Sequence, residues 1–199
     1  YIDDEGRPVK GLAAIKNTEY FFDKHKGAQI KGDFAVNGKY YDGITGALVT
    51  NSYVRVGSDW YYVNSKGKRL KGAQIINNVA VYFNPQNGKQ LKGGFDEDGY
   101  FYDKDSGAKT DLGKNHYVQI NDAWYYIGSE GKILKGEQTI DGVQVHFDTI
   151  TGVQVKGNFI TKDGRLITEK DHASYTPAEK FFDKDSGALV KGRYFTHKG

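Results

Sequence analysis

The segment WYYVNSKGKRLKG (residues 60–72) returns further along the chain as WYYIGSEGKILKG (residues 124–136). In each, an aromatic run meets a glycine-containing turn and then a short second run ending in Lys-Gly. Along an extended chain successive side chains point to opposite faces. Trp60 and Tyr62 therefore share one side of a strand, while Tyr61 and Val63 share the other. The turn residues Asn64, Ser65 and Gly67 suit a tight reversal, because Asn and Ser bond locally to the backbone and Gly adopts positive φ. Asp183-Lys184-Asp185-Ser186-Gly187 repeats the same grammar. Each such unit reads as a β-hairpin around its glycine turn.

Working outward, a unit-closing Lys-Gly pair recurs at Lys10, Lys31, Lys71, Lys92, Lys135, Lys156 and Lys191, at separations of 21, 40, 21, 43, 21 and 35 residues. A short unit alternates with a long one, which predicts three super-repeats of about sixty residues, at approximately 1–59, 60–123 and 124–199. The opening YIDDEGRPVKG matches the second quoted segment from Tyr126 onward, and the closing RYFTHKG matches NFITKDG (residues 158–164). Both ends thus fall inside a repeat, as expected of a fragment of a longer array. Residues 166–180, with Thr176-Pro177-Ala178-Glu179, have no matching hairpin and receive no role.

One two-stranded hairpin buries too little to be stable, so its apolar face must lie on its neighbours. The expected fold is all-β, a β-solenoid of stacked short hairpins forming a single repeat module. Composition agrees: 26 Gly, 15 Tyr and 11 Phe accompany only three Pro. With no Cys, neither disulfides nor thiolate metal sites stabilise this fold. The 28 basic and 25 acidic residues are interleaved, giving a net charge of +3 without the basic stripe of a nucleic-acid binder. No apolar run has spanning length, so membrane insertion is not expected.

Catalytic and cofactor chemistry finds no foothold. Asp103, Asp105, Asp183 and Asp185 sit at turn positions, where local hydrogen bonding explains them, and no carboxylate pair can be assigned to one cleft. Lys114 stands where a calcium loop beginning at Asp103 would need glutamate. His25, His116, His146, His172 and His197 lack ligand spacing. No catalytic residue, metal ligand or cofactor is assigned.

A second pattern runs through the short units. AQIINNVAVYFNPQNGKQLKG (residues 73–93) and EQTIDGVQVHFDTITGVQVKG (residues 137–157) each carry Gln early, an aromatic midway and a Gln-x-Lys-Gly ending. The candidate binding residues are Gln74, Tyr82, Gln90 and Lys92, then Gln138, His146, Gln154 and Lys156. LAAIKNTEYFFDKHKGAQIKG (residues 12–32) keeps Gln29 and Lys31 but has Ala13 at the early position. A sugar ring packs its C–H face on an aromatic ring, and its hydroxyl rim needs directional donors and acceptors, which Gln and Lys provide.

These motifs resemble the C-terminal glucan-binding domain of glucansucrases, the glycoside hydrolase family 70 enzymes, and more broadly cell-wall-binding repeats. The resemblance covers nearly the whole chain apart from residues 166–180. It implies a non-catalytic module, secreted or at the cell surface and continuous with a catalytic domain. It also implies that the module binds dextran-like α-glucan in pockets pairing a stacking Tyr with Gln and Lys. Two other readings of the residues stay open: a choline-binding or toxin-type carbohydrate repeat, for which two Trp make a poor cage, and a stalk that binds nothing.

Overall fold

A computed structural model describes residues 1–162, 164–168 and 179–191, and these contain strands and turns but no helix. The chain divides into two compact units, residues 1–96 with 101–110, and residues 97–100 with 111–199. In the first lie β1 (Gly11–Ile15), β2 (Thr18–Phe22), β3 (Asp33–Phe34), β4 (Tyr40–Tyr41), β5 (Ser52–Val56), β6 (Asp59–Val63), β7 (Gly72–Ile76), β8 (Val79–Phe83), β9 (Gly94–Phe95), β10 (Phe101–Tyr102) and β11 (Lys109–Thr110). The second holds β12 (His116–Ile120), β13 (Ala123–Ile127), β14 (Gly136–Ile140), β15 (Val143–Phe147), β16 (Asn158–Ile160), β17 (Leu166–Thr168) and β18 (Lys180–Phe182).

The long ladders are β1–β2, β5–β6, β7–β8, β12–β13 and β14–β15, each antiparallel over five residue pairs. Two residues join the strands of each ladder. In Lys16-Asn17, Asn77-Asn78, Asn121-Asp122 and Asp141-Gly142 both central residues have positive φ. That backbone twist matches the twist of the flanking strands, and Asn, Asp and Gly adopt it at least cost.

This corrects the expected pairing. The aromatic run Trp60 to Val63 does not form its main hairpin across the Asn64–Gly67 turn. It pairs in register with β5 upstream, and downstream only the single bridge Val63↔Arg69 crosses the turn. Phe22↔Gln29, Phe83↔Gln90, Ile127↔Ile133, Phe147↔Gln154 and Phe182↔Leu189 repeat that arrangement. Each aromatic strand is thus the middle of a three-part ribbon whose third part is one bridge long.

Residues 166–180 also depart from expectation. Leu166–Thr168 pairs with β16, which pairs on its other edge with Lys180–Phe182. Residues 169–178 and the closing segment 193–199 lie outside the described residues.

Burial follows the strand alternation. In β6, Tyr61 and Val63 are buried while Trp60 is exposed. Within the first unit Tyr40, Val54, Tyr61 and Val63 form one small core, and Ile76, Val81 and Phe83 form another against Tyr62 and Leu70. In the second unit Ile140, Val145 and Phe147 pack against Tyr126 and Leu134. The bridges Tyr20↔Ala47, Val81↔Ala108 and Val145↔Ala188 tie one ribbon to the next within a unit. The hydrogen bonds Gln90 N to Trp60 O at 2.8 Å and Gln154 N to Trp124 O at 2.7 Å do the same.

Candidate functional site

In β7–β8, register separates the expected pocket residues. Gln74 pairs with Val81 and Ala73 with Tyr82, so Gln74 shares a face with Ile76 and Val81 while Tyr82 projects from the other. Tyr82 is 7 % exposed, and its ring lies 5.8 Å from that of Tyr102. Gln74 Nε2 donates to Lys71 O at 2.8 Å, tying the strand to the preceding Lys-Gly connection. The second unit repeats the arrangement. Gln138 Nε2 donates to Lys135 O at 2.8 Å, and His146 is buried with its ring 5.7 Å from Phe182. Burial holds the His146 imidazole pKa below its usual value, with Glu137 and Asp148 opposing and Lys180 reinforcing the shift. Tyr82 and His146, expected as stacking floors, are therefore interior rings. Each is covered by an aromatic ring of the next ribbon.

Gln90 and Lys92 stay together. They follow the Asn84–Gly88 turn and reach across to the next turn, at residues 103–107. Gln90 Nε2 donates to Ser106 O at 3.3 Å, and Lys92 Nζ donates to Asp105 O at 2.7 Å. That turn is fixed in its own right, since Asp103 Oδ1 accepts from Asp105 N at 3.1 Å, Ser106 N at 2.8 Å and Ser106 Oγ at 2.7 Å. Gly107 has φ +71°, and a Cβ there would stand 2.8 Å from Gln90 Cδ and 3.2 Å from Lys92 Cγ. Glycine is thus required twice over, for the turn and for the passage of both side chains.

Above this pair is a cavity of about 400 Å³ with Tyr53 and Trp60 on one side and Ile76, Val79 and Val81 on another. Gln90, Lys92, Asn77 and Ser106 supply its polar groups. Trp60 is 37 % exposed, and Lys92 Nζ lies 5.6 Å from its ring centroid. Tyr53 stands edge-on to Tyr62 at 5.0 Å, and burial raises its hydroxyl pKa.

The second unit carries the same constellation. Gln154 Nε2 donates to Ser186 O at 3.2 Å, Lys156 Nζ donates to Asp185 O at 2.9 Å, and Lys156 Nζ lies 5.4 Å from the Trp124 ring centroid. Tyr117 stands edge-on to Tyr126 at 4.9 Å. In the first super-repeat, Gln29 Nε2 donates to Thr45 O at 3.1 Å and Lys31 Nζ to Ile44 O at 2.9 Å.

Comparison with known proteins shows what these repeats are similar to. A choline-binding repeat model matches residues 9–53 and 70–111. Glucosyltransferase-S of Streptococcus mutans is 32% identical over 204 residues, spanning 100% of this chain. Glucosyltransferase-I of Streptococcus downei is 30% identical over 221 residues, spanning 98% of it. Over its whole length the chain is thus similar to one part of these glucosyltransferases, and in two stretches to choline-binding repeats. It spans only 13% of the length of each of those two relatives. Among solved structures, the modular autolysin LytC of Streptococcus pneumoniae superposes with a TM-score of 0.51 at 19% identity, covering 96% of this chain and 44% of that one. That likeness concerns the fold.

Similarity to choline-binding repeats and to glucosyltransferases supports a repeat module of the carbohydrate- or cell-wall-binding kind. Among the described residues, no group of three His, Asp or Glu is placed to hold a metal ion. Trp60 and Tyr53, which line the cavity, and Trp124 at the position matching Trp60 were not among the expected binding residues. A signal for the indoles was nevertheless present: Trp60 and Trp124 are the chain's two tryptophans, at matching positions of the two quoted segments, on the strand faces opposite the buried Tyr61 and the half-buried Tyr125.

Proposed function

We propose that the chain is a non-catalytic carbohydrate-binding module that holds α-glucan, of the dextran or isomaltooligosaccharide type, at two matched pockets. Trp60, Gln90 and Lys92 make one; Trp124, Gln154 and Lys156 make the other. The observation that carries this reading is an apolar indole face beside a fixed pair of hydrogen-bonding groups, its contacts repeated in the second unit, where Gln154 is itself buried and Lys156 is the more accessible of the two. Gln90 donates through Nε2 to Ser106 O, which leaves Oε1 to act as an acceptor, and Lys92 donates one of its three N–H groups to Asp105 O. An acceptor next to a charged donor suits neighbouring hydroxyls of a pyranose, whose C–H face packs on the indole.

The relatives are glucosyltransferases by name, and a module carried by such an enzyme meets glucosyl units. On this reading the chain works outside the cell, covalently continuous with a catalytic domain. Within each unit, the ribbons follow one another as the turns of a β-solenoid. Native gel electrophoresis with and without dextran tests the function. Dextran is expected to retard the chain equally at low and moderate salt, because a neutral ligand releases no counterions. Equal migration in both gels overturns the proposal, and retention on immobilised choline instead favours the choline-binding reading.

A further inference from the structure

We infer that Lys92 and Lys156 act as specificity residues: each places its own ammonium at the indole face where choline would otherwise bind, closing a choline-type repeat to quaternary ammonium ligands. The inference rests on the pockets proposed above and concerns which chemistry they refuse.

The pocket walls would by themselves suit an onium group. A tryptophan face attracts cations through its negative quadrupole, and a second aromatic with aliphatic walls completes a site that a trimethylammonium can enter. Trp60, Tyr53, Val79 and Val81 provide this in the first unit. The cation position is already taken. Lys92 Nζ lies 5.6 Å from the Trp60 centroid, and Lys156 Nζ lies 5.4 Å from that of Trp124. Neither ammonium is free to swing away at no cost. Each is tethered to a backbone carbonyl, Asp105 O at 2.7 Å or Asp185 O at 2.9 Å. Each stem also runs past a glycine whose Cβ would stand 3.2 Å from the lysine Cγ.

A second cation brought to the same indole meets like charge at close range in a partly desolvated pocket. An onium also carries no N–H or O–H on its charged group, so that group cannot donate to the Oε1 of Gln90. A neutral polyol suffers neither disadvantage. It can accept from the lysine and donate to the glutamine. Arg55 adds a further positive charge 5.9 Å from the Trp60 ring, whereas Asp141 acts on Tyr117 in the second unit. The Trp124 pocket is thus the one in which removing the lysine leaves the more favourable field for a cation.

The test measures choline, tetramethylammonium and isomaltotriose binding by calorimetry and tryptophan fluorescence on the parent chain and on Lys156→Met, Lys156→Gln and Lys156→Arg. The parent and Lys156→Arg, which keep the charge, are expected to bind both onium ions weakly. Lys156→Met and Lys156→Gln are expected to gain roughly tenfold in onium affinity and to lose isomaltotriose affinity at that pocket. A parent that binds choline as tightly as the neutral variants overturns the inference. So does a folded Lys156→Gln with no onium gain. A parent that binds no isomaltotriose overturns the glucan reading instead, so the two failures are distinguishable.

Discussion

Trp60 and Tyr82 are both large aromatics on middle strands of the first unit, yet one lines a cavity and the other lies beneath Tyr102. Substituting each should therefore damage different properties. Trp60→Ala removes an exposed floor and should weaken isomaltotriose binding at that pocket by about 2 kcal/mol, roughly thirtyfold, with little change in melting temperature. Tyr82→Ala opens a void and should cost about 3 kcal/mol of stability, while the folded fraction binds isomaltotriose within about twofold of the parent. Calorimetry alongside thermal denaturation separates the two; a Tyr82→Ala chain that keeps its stability but loses the sugar would return Tyr82 to the site. His146, which stands where Tyr82 does, makes a further prediction. Its imidazole pKa is depressed by burial, so the folded state disfavours the proton. The stability it permits is complete above the unfolded value of about 6.5 and declines as pH falls below it. His146→Tyr should flatten that part of a melting-temperature curve taken from pH 7.5 to 5. Identical parent and variant slopes would remove His146 as the cause. At this scale the Gln-x-Lys pairing was legible because Gln90 and Lys92 are two residues apart and share a strand face. The indole stood out in the sequence, but its meeting with Gln90 did not, because Trp60 lies in another ribbon and the backbone bond that joins the two is encoded by no local pattern.

The element that recurs is a turn beginning with Asp or Asn and ending at Gly. Asp23, Asp42, Asp103, Asp148 and Asp183 each accept backbone N–H groups through Oδ1. Those bonds favour the ionised carboxylate and depress all five pKa values, the backbone bond being the largest cause in each. The sign is fixed by linkage. The contribution is present above the ordinary carboxylate pKa of about 4 and is lost as pH drops through the lower folded value. Asn84 makes the same bonds to Gln86 N and Asn87 N at 2.9 and 3.0 Å without a charge to lose. Asp103→Asn should therefore fold at neutral pH and show a shallower acid loss of stability than the parent, read by circular dichroism from pH 5 to 2. An unchanged acid limb would show that the Asp103 carboxylate does not contribute. The turns themselves were legible, since Asp, Asn, Ser and Gly at fixed offsets carry their own mechanism. Their partners were not. Either side of an aromatic run could have supplied its main strand, and Asn77-Asn78 and Asn121-Asp122 win because two positive-φ residues close a five-pair ladder in register. The longer glycine turn closes one bridge.

For the whole molecule, repetition matters more than any one contact. The three-fold sequence period was visible at once, yet the pocket depends on parts of three successive ribbons: an indole from one, Gln and Lys from the next, and a receiving turn from the one after. Two complete sets are present, one in each unit. On the proposed function a short oligosaccharide occupies each set independently, so Trp60→Ala should halve the isomaltotriose stoichiometry and leave the remaining affinity unchanged. On the same proposal a polymer differs, because a glucan long enough to reach both pockets would present further glucose units to the second at a raised effective concentration. Losing one pocket then removes the linked second event, and dextran affinity should fall by about a hundredfold. Trp124→Ala should do the same, and the double variant should add only the loss of the last single-site contact. Calorimetry with isomaltotriose and gel retardation in a dextran series measure the two sides. If dextran affinity merely halves with each single variant, the pockets act alone, and the repeat serves to multiply sites along the chain without linking them.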